Sequence, residues 1–409
     1  MKVLRLPARV GLTYMCAMSV AVLLGACGPR PESPDRTGEA QGGGGDNGEA
    51  CRSVDLPTFG MQTGDVVSVN IAPDYSTGSV AHFNLDDRET VEGDLLTTTG
   101  DAVVRDVNGL PVILQRGPTS SLIKLDNDLD IVEQVDLGAC NAYDVELLDD
   151  CRALVSCYDQ SRAKLVNWQT HAVSDGPDFS AFADGDGIPE MDQILRMGEV
   201  LVVSLQRLDR DAMYAPDNPS LLALLNAQSL ELVDTEPATA ELDGIQLPCR
   251  NPFTEMHVGP AGRAVVGCAG GPAADSGPES MVVAVDIDTS TTEVLANETE
   301  LGGKLSELVY GHDGASYALV ASPDLLNTTS MNVLRVDASD VTTVHTQSGY
   351  NLSGLAADTD GRILIGDRST NDAGIWIRAP NGTVFEGPVA PEPANPEETP
   401  LPPSDIVVF

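Results

Sequence analysis

Residues Asp101–Leu137 constrain this chain most, because they hold one complete structural unit. Four apolar segments, DAVVRDV (Asp101–Val107), PVILQR (Pro111–Arg116), SLIKLD (Ser121–Asp126) and DIVEQVDL (Asp130–Leu137), are separated by NGL, GPTS and NDL. The connectors carry residues that accept positive φ or bond their own backbone, so they read as turns. Val103, Val112, Ile113, Leu114, Ile123 and Ile131 supply the apolar, largely β-branched content of packed strands. A four-stranded meander of about 35 residues cannot bury both faces alone and must stack on copies of itself.

Copies follow. A third unit runs from Tyr143 as YDVELL, ALVSCY, AKLVNW and a weaker edge strand near His171–Ser174. The fourth holds Met191–Met197, Val200–Leu208, Leu221–Asn226 and Leu230–Thr235; the fifth Pro252–Val258, Ala264–Ala269, Met281–Ile287 and Thr292–Asn297. The sixth holds Leu305–Gly311, Ser316–Ser322, Met331–Asp337 and Val341–Thr346; the seventh Leu352–Asp358, Arg362–Arg368, Gly374–Ala379 and Thr383–Val389. The first unit has only Val66–Ala72, Ser79–Asp86 and Glu89–Leu96. Its missing strand is expected at the far end, where SDIVVF (Ser404–Phe409) resembles the DAVV that heads the second unit. The expected fold is therefore all-β: a seven-bladed β-propeller over residues 51–409, with the C-terminal strand pairing into the first blade so that no sheet edge is left open at the join.

Ahead of this domain, residues 1–26 have the layout of a secretory signal. Lys2, Arg5 and Arg9 precede an apolar run from Val10 to Leu24. The run ends in Leu24-Gly25-Ala26-Cys27, which resembles the lipobox of bacterial lipoproteins. The resemblance implies cleavage before Cys27, acylation of Cys27 and, with Gly28 rather than Asp after it, an outer-membrane address facing away from the cytoplasm. Several acyl chains, at about 0.8 kcal/mol per buried CH₂, anchor firmly where one is marginal. Residues 27–50 are rich in Gly, Pro and acids without apolar periodicity, and read as a flexible tether spanning roughly 25 Å.

Charge narrows the partners. With 62 acidic against 23 basic residues and a net charge of −39, the chain is unsuited to nucleic acid or to lying flat on anionic lipid. The expected partners are instead the membrane through its lipid, and a protein or a small anionic ligand, with the chain itself a monomer. Past Cys27, the even set Cys51, Cys140, Cys151, Cys157, Cys249 and Cys268 reads as disulfides in an exported protein. Cys140 and Cys157 hold places in one blade that Cys249 and Cys268 match in another. That alignment pairs Cys140–Cys157 and Cys249–Cys268 and leaves Cys51–Cys151.

The repeat pattern resembles the YVTN-type seven-bladed secreted propellers, although the tetrapeptide itself is absent and no WD dipeptide occurs. The resemblance implies binding or scaffolding more than catalysis. Gln115-Arg116, Gln206-Arg207 and Asp367-Arg368 each end a blade's second strand, which puts three guanidiniums at one level and suggests an anion site. Pairing with acids such as Asp106, Asp209 or Asp372 is the competing role for them. Asp184-Gly185-Asp186-Gly187-Ile188-Pro189-Glu190 resembles the calcium loops of thrombospondin-like repeats, with Asp184, Asp186 and Glu190 as carboxylates and Ile188 as a carbonyl ligand for Ca²⁺. Phe182 stands where a leading Asp belongs. No GxSxG, HExxH or nucleotide loop occurs, and the five histidines are spread over four blades with no spacing that suggests a cluster. The alternative class is a propeller lyase or hydrolase with a metal in the central channel, which His257 and His312 could approach.

Overall fold

The computed structural model describes residues 61–409 apart from 88–90, 240, 274–276, 278, 338–339, 371–372 and 392–399. The signal, Cys27, the tether and Cys51 lie outside the described residues. Seven antiparallel sheets form, six of four strands and one of five, with the strands of blades 2 to 7 following chain order. Blade 2 shows the unit at its most regular: Ala102–Val107, Leu110–Gln115, Ser120–Leu125 and Ile131–Gly138. Its first hairpin turns at Asn108 (φ 56°) and Gly109 (φ 81°), the positive-φ pair that suits the right-handed twist of the flanking strands. The Asp106 carboxylate accepts from Gly109 N–H at 2.6 Å and fixes the corner.

The strand Pro403–Val408 pairs antiparallel with Asp65–Ile71, matching Val66 to Val408 and Ser68 to Ile406. Blade 1 is thus built from both ends of the chain. Gly64 N–H donates to the Phe409 carbonyl at 2.7 Å and Phe409 N–H to that of Asp65 at 2.9 Å.

Period-two alternation along each strand supplies two apolar faces, and these meet between blades. Val67 and Val69 of blade 1 pack with Val104, Ile113 and Ile123 of blade 2, all essentially fully buried. Three serines repeat a polar clasp across the same joints. Ser120, Ser220 and Ser280, each at the head of a third strand, donate to a carbonyl of their own blade (Gly117, Gln206, Ala269) and accept Ala142, Asn251 and Leu305 N–H from the next. Each buried hydroxyl is satisfied twice, which is what makes it tolerable in an apolar joint.

Cys140–Cys157 and Cys249–Cys268 are bonded, with Cα separations of 4.7 and 6.0 Å. Cys151 is also disulfide-bonded.

Blades 3, 4 and 5 depart from the sequence expectation. In blade 3 the outer strand is Val173–Asp178, shifted from the expected edge. In blade 4 it shrinks to Leu232–Val233, with Ile245–Gln246 added beside it on the same third strand. In blade 5 the first strand is only His257–Val258 rather than Pro252–Val258. The reason is local chemistry: Pro252 has no N–H to give, and Thr254 Oγ1 takes the place of a ladder rung, donating to Gly267 O at 3.3 Å and accepting from Gly267 N at 3.1 Å. A Cβ on Gly267 would lie 2.6 Å from that hydroxyl, so only glycine fits.

Candidate functional site

The seven first strands converge on a central channel, and each contributes to a cavity of about 340 Å³. Polar side chains tie these strands to one another. In blades 1, 3, 4, 6 and 7 the pairing of the first and second strands shifts register, at Val69/Asn70, Ala142/Val145, Met191/Ile194, Leu305/Glu307 and Leu352/Leu355. A bulge re-aims the side chain it carries. Here it turns a carboxylate onto the next blade: Asp405 accepts Val104 N–H at 2.9 Å, Asp144 accepts Ile194 N–H at 2.7 Å, and Glu307 accepts Gly354 N–H at 2.9 Å. Ser353 Oγ donates to the Ser404 carbonyl at 2.8 Å, and His257 Nε2 meets the Leu308 carbonyl at 3.0 Å.

Arg105, on the first strand of blade 2, is the hub of this girdle. Its Nε lies 3.0 Å from Asp144, and its Nη1 lies 3.1 Å from both Asp405 and Glu255, so one guanidinium joins blades 1, 2, 3 and 5. It also donates to the carbonyls of Val104 (2.8 Å) and Tyr143 (3.4 Å). Burial works against its charge, yet Glu255, Asp405 and Asp144 together hold it above its ordinary range. Acids still outnumber bases in the channel. Burial pushes the carboxyls of Asp144 up to about 6, Asp192 to about 7, and Glu307 to about 8; burial, with Asp144 beside it, takes Glu146 to about 7.

These shifts set a pH dependence. A carboxyl raised in the folded state holds its proton there after the unfolded chain has lost it, so its contribution is complete below its ordinary value and disappears as pH rises through the raised one. For Glu307 that window runs from 4.5 to about 8. Thermal unfolding should therefore occur at falling temperature across this range, and Glu307→Gln should flatten the profile, gaining roughly 1–2 kcal/mol over the parent at the alkaline end. A parallel profile for parent and variant would show that Glu307 is already ionised in the fold.

The three arginines singled out by sequence all follow second strands, at the end of the ring opposite the first-strand turns, and among the described residues they share no partner. Arg116 Nε donates to Asp101 at 2.8 Å, and its guanidinium lies 5.0 Å over the Tyr143 ring. Tyr143 in turn stacks on Tyr158 at 4.5 Å. Arg207 Nη1 donates to the Pro219 carbonyl at 2.7 Å, while its buried Nε has no partner among the described residues. Arg368 lies 5.6 Å over Tyr75 and reaches the Ile71 carbonyl at 3.4 Å. Their neighbours are bonded within the fold. Gln115 accepts from Thr99 N–H at 3.1 Å, and Gln206 accepts from the Tyr158 hydroxyl at 3.2 Å and donates to Asp192. Asp367 is fully buried, accepting from Ser369 N–H, Trp376 Nε1 and Gln347 Nε2.

In the candidate calcium loop, Asp184 accepts from Asp186 N–H (3.3 Å) and Asn218 Nδ2 (2.5 Å), and Asp186 accepts from Ile188 N–H (2.8 Å). Glu190 faces Arg210 Nε at 2.6 Å and Leu208 N–H at 3.1 Å, so its near cation is a guanidinium. Among the described residues no group of three His, Cys, Asp or Glu side chains is arranged to hold a metal ion. His312 is exposed in its turn.

The girdle is what sequence reasoning passed over. Its signal was present in the heads of the blades: Tyr143-Asp144, Met191-Asp192-Gln193, Phe253-Thr254-Glu255, Leu305-Ser306-Glu307 and Ser404-Asp405 all place a polar residue beside an apolar or small one where the sequence leads into a first strand.

No family model matches the chain, and no curated protein matches it. Solved structures do. The chain is similar to the Cps50 (Swd1) β-propeller domain of Myceliophteria thermophila at 12% identity, over 77% of this chain and 96% of that one, with a TM-score of 0.50. It is similar to a functionally unknown protein from Desulfotomaculum acetoxidans at 12% identity over 85% and 99%, TM-score 0.49. A third similar structure is virginiamycin B lyase from Staphylococcus aureus, at 8% identity over 70% and 83%, TM-score 0.47. At these identities the likeness is one of fold alone, and the fold is a β-propeller.

Proposed function

We propose that this chain is an extracytoplasmic, outer-membrane lipoprotein of the YVTN-like propeller kind, anchored through Cys27 and acting as a monomeric, non-catalytic binding module. It takes an anionic ligand, or an acidic group of a protein partner, at the end of the ring where the second strands finish. The observation that carries the reading is that Arg207 and Arg368 form no ion pair among the described residues, although the chain has 62 acids to offer. Cations left unpaired in so acidic a molecule are available to a ligand. In the channel, by contrast, Asp144, Glu255, Glu307, Asp405 and the hub arginine are committed to holding blades together.

Replacing Arg116, Arg207 and Arg368 together with Ala should abolish oxyanion binding while leaving the melting temperature nearly unchanged. A large fall in melting temperature instead would assign the three to loop stapling. For the anchor, Cys27→Ser should move the protein from the membrane to the soluble fraction.

A further inference from the structure

We propose that Arg207 and Arg250 form one oxyanion-binding pair at the junction of blades 4 and 5, whose ligand carries a small carboxylate or phosphate group. This rests on the functional reading above and names its centre.

The backbone brings the two residues to one place. Ser220 Oγ donates to the Gln206 carbonyl at 2.8 Å and accepts Asn251 N–H at 3.1 Å, so the residue after Gln206 and the residue before Asn251 flank a single buried hydroxyl. Gly270 N–H donates to the Arg250 carbonyl at 3.0 Å, and the Cys249–Cys268 bridge holds the same segment. Arg207 (φ 55°) and Asn251 (φ 59°) both sit in the left-handed region, uncommon for Arg, which this scaffold maintains.

The side chains have capacity left over. Both are half-buried, and among the described residues neither forms an ion pair. Arg207 commits Nη1 to Pro219 O and leaves its buried Nε–H without an acceptor. The carboxylates whose field reaches it are Asp184, already bonded to Asn218 and Asp186, and Glu190, already bonded to Arg210. Burial first, and then repulsion by Arg250, hold the Arg207 guanidinium below its ordinary range. An oxyanion between the two would remove that repulsion and supply the acceptor that Nε lacks. The planar Nε/Nη edge of arginine fits two oxygens of one carboxylate or phosphate.

The test is calorimetric titration of the full-length protein in detergent with sodium phosphate and, separately, sodium succinate at constant ionic strength. Saturable binding of at least one is expected, weakened about tenfold or more by Arg207→Gln or by Arg250→Gln. Arg250→Lys, which keeps the charge and loses the fork, should fall between parent and Gln variant and guards against a folding defect. Arg152→Gln, at the opposite end of blade 3, should leave affinity unchanged. Binding of phosphate alone identifies a phosphorylated ligand, and of succinate alone a carboxylate. Undiminished affinity in the Arg207→Gln/Arg250→Gln double variant overturns the pair. If Arg368→Ala then removes that affinity, the broader functional reading survives; if neither anion binds the parent, both fall.

Discussion

Arg105→Met should lower the unfolding free energy by about 3–5 kcal/mol, the usual consequence of removing one partner from a buried charge cluster. Only 11% of the Arg105 side chain is exposed, and it faces Asp144, Glu255 and Asp405 from three other blades. Without it, three carboxylates confront one another around a narrow channel, and their Coulomb repulsion has nothing to offset it. Denaturant unfolding at neutral pH measures the loss directly as a shift in midpoint at constant slope. The deficit should shrink in acid, because Asp144, raised to about 6 by burial even with Arg105 beside it, takes up its proton more readily still without the guanidinium. Adding Asp405→Asn to the same variant should recover part of it. A loss smaller than about 1 kcal/mol, the scale of an exposed pair, would mean the guanidinium is not the hub.

Deleting Ser404–Phe409 should be worse. The last strand gives five residue pairs to blade 1, at about 1 kcal/mol per hydrogen bond. Burial of Ile406, 4% exposed, adds about 2 kcal/mol. Asp405 is lost with them, and with it the links to Val104 N–H and Arg105. The sum, roughly 6–8 kcal/mol, is comparable to the entire stability of an ordinary domain. The truncated chain should expose blade 1 to proteolysis and unfold without a single cooperative transition. An unchanged, cooperative melt would show that blade 1 does not need its last strand.

The blade plan was legible because the interior speaks through period two. Val112, Ile113 and Leu114 are all fully buried in a strand whose two faces each meet a neighbouring blade, and turn residues such as Asn108-Gly109 mark the corners. Sequence alignment of blades also paired Cys140 with Cys157 and Cys249 with Cys268. Edge strands were harder. Leu232–Val233 and Val173–Asp178 lie at blade rims, where neither face is fully covered and the apolar pattern fades. The site was least legible, because its geometry depends on which way a bulge turns a residue. Arg116 could be assigned to an end of the ring, but not to Asp101 and Tyr143, which reach it through folding rather than through spacing. Arg105 sits one residue from Asp106 in the segment read first. Only the meeting of blades 1, 3 and 5 around it sets it apart.

Blade 1 takes its innermost strand from Pro403–Val408 and its other three from residues 65–98. During synthesis, then, the earliest sheet stands incomplete while some three hundred residues are still to be made, with Asp65–Ile71 offering an open hydrogen-bonding edge to any passing strand. Native assembly of this molecule therefore waits on the arrival of Pro403–Val408 beside Asp65–Ile71.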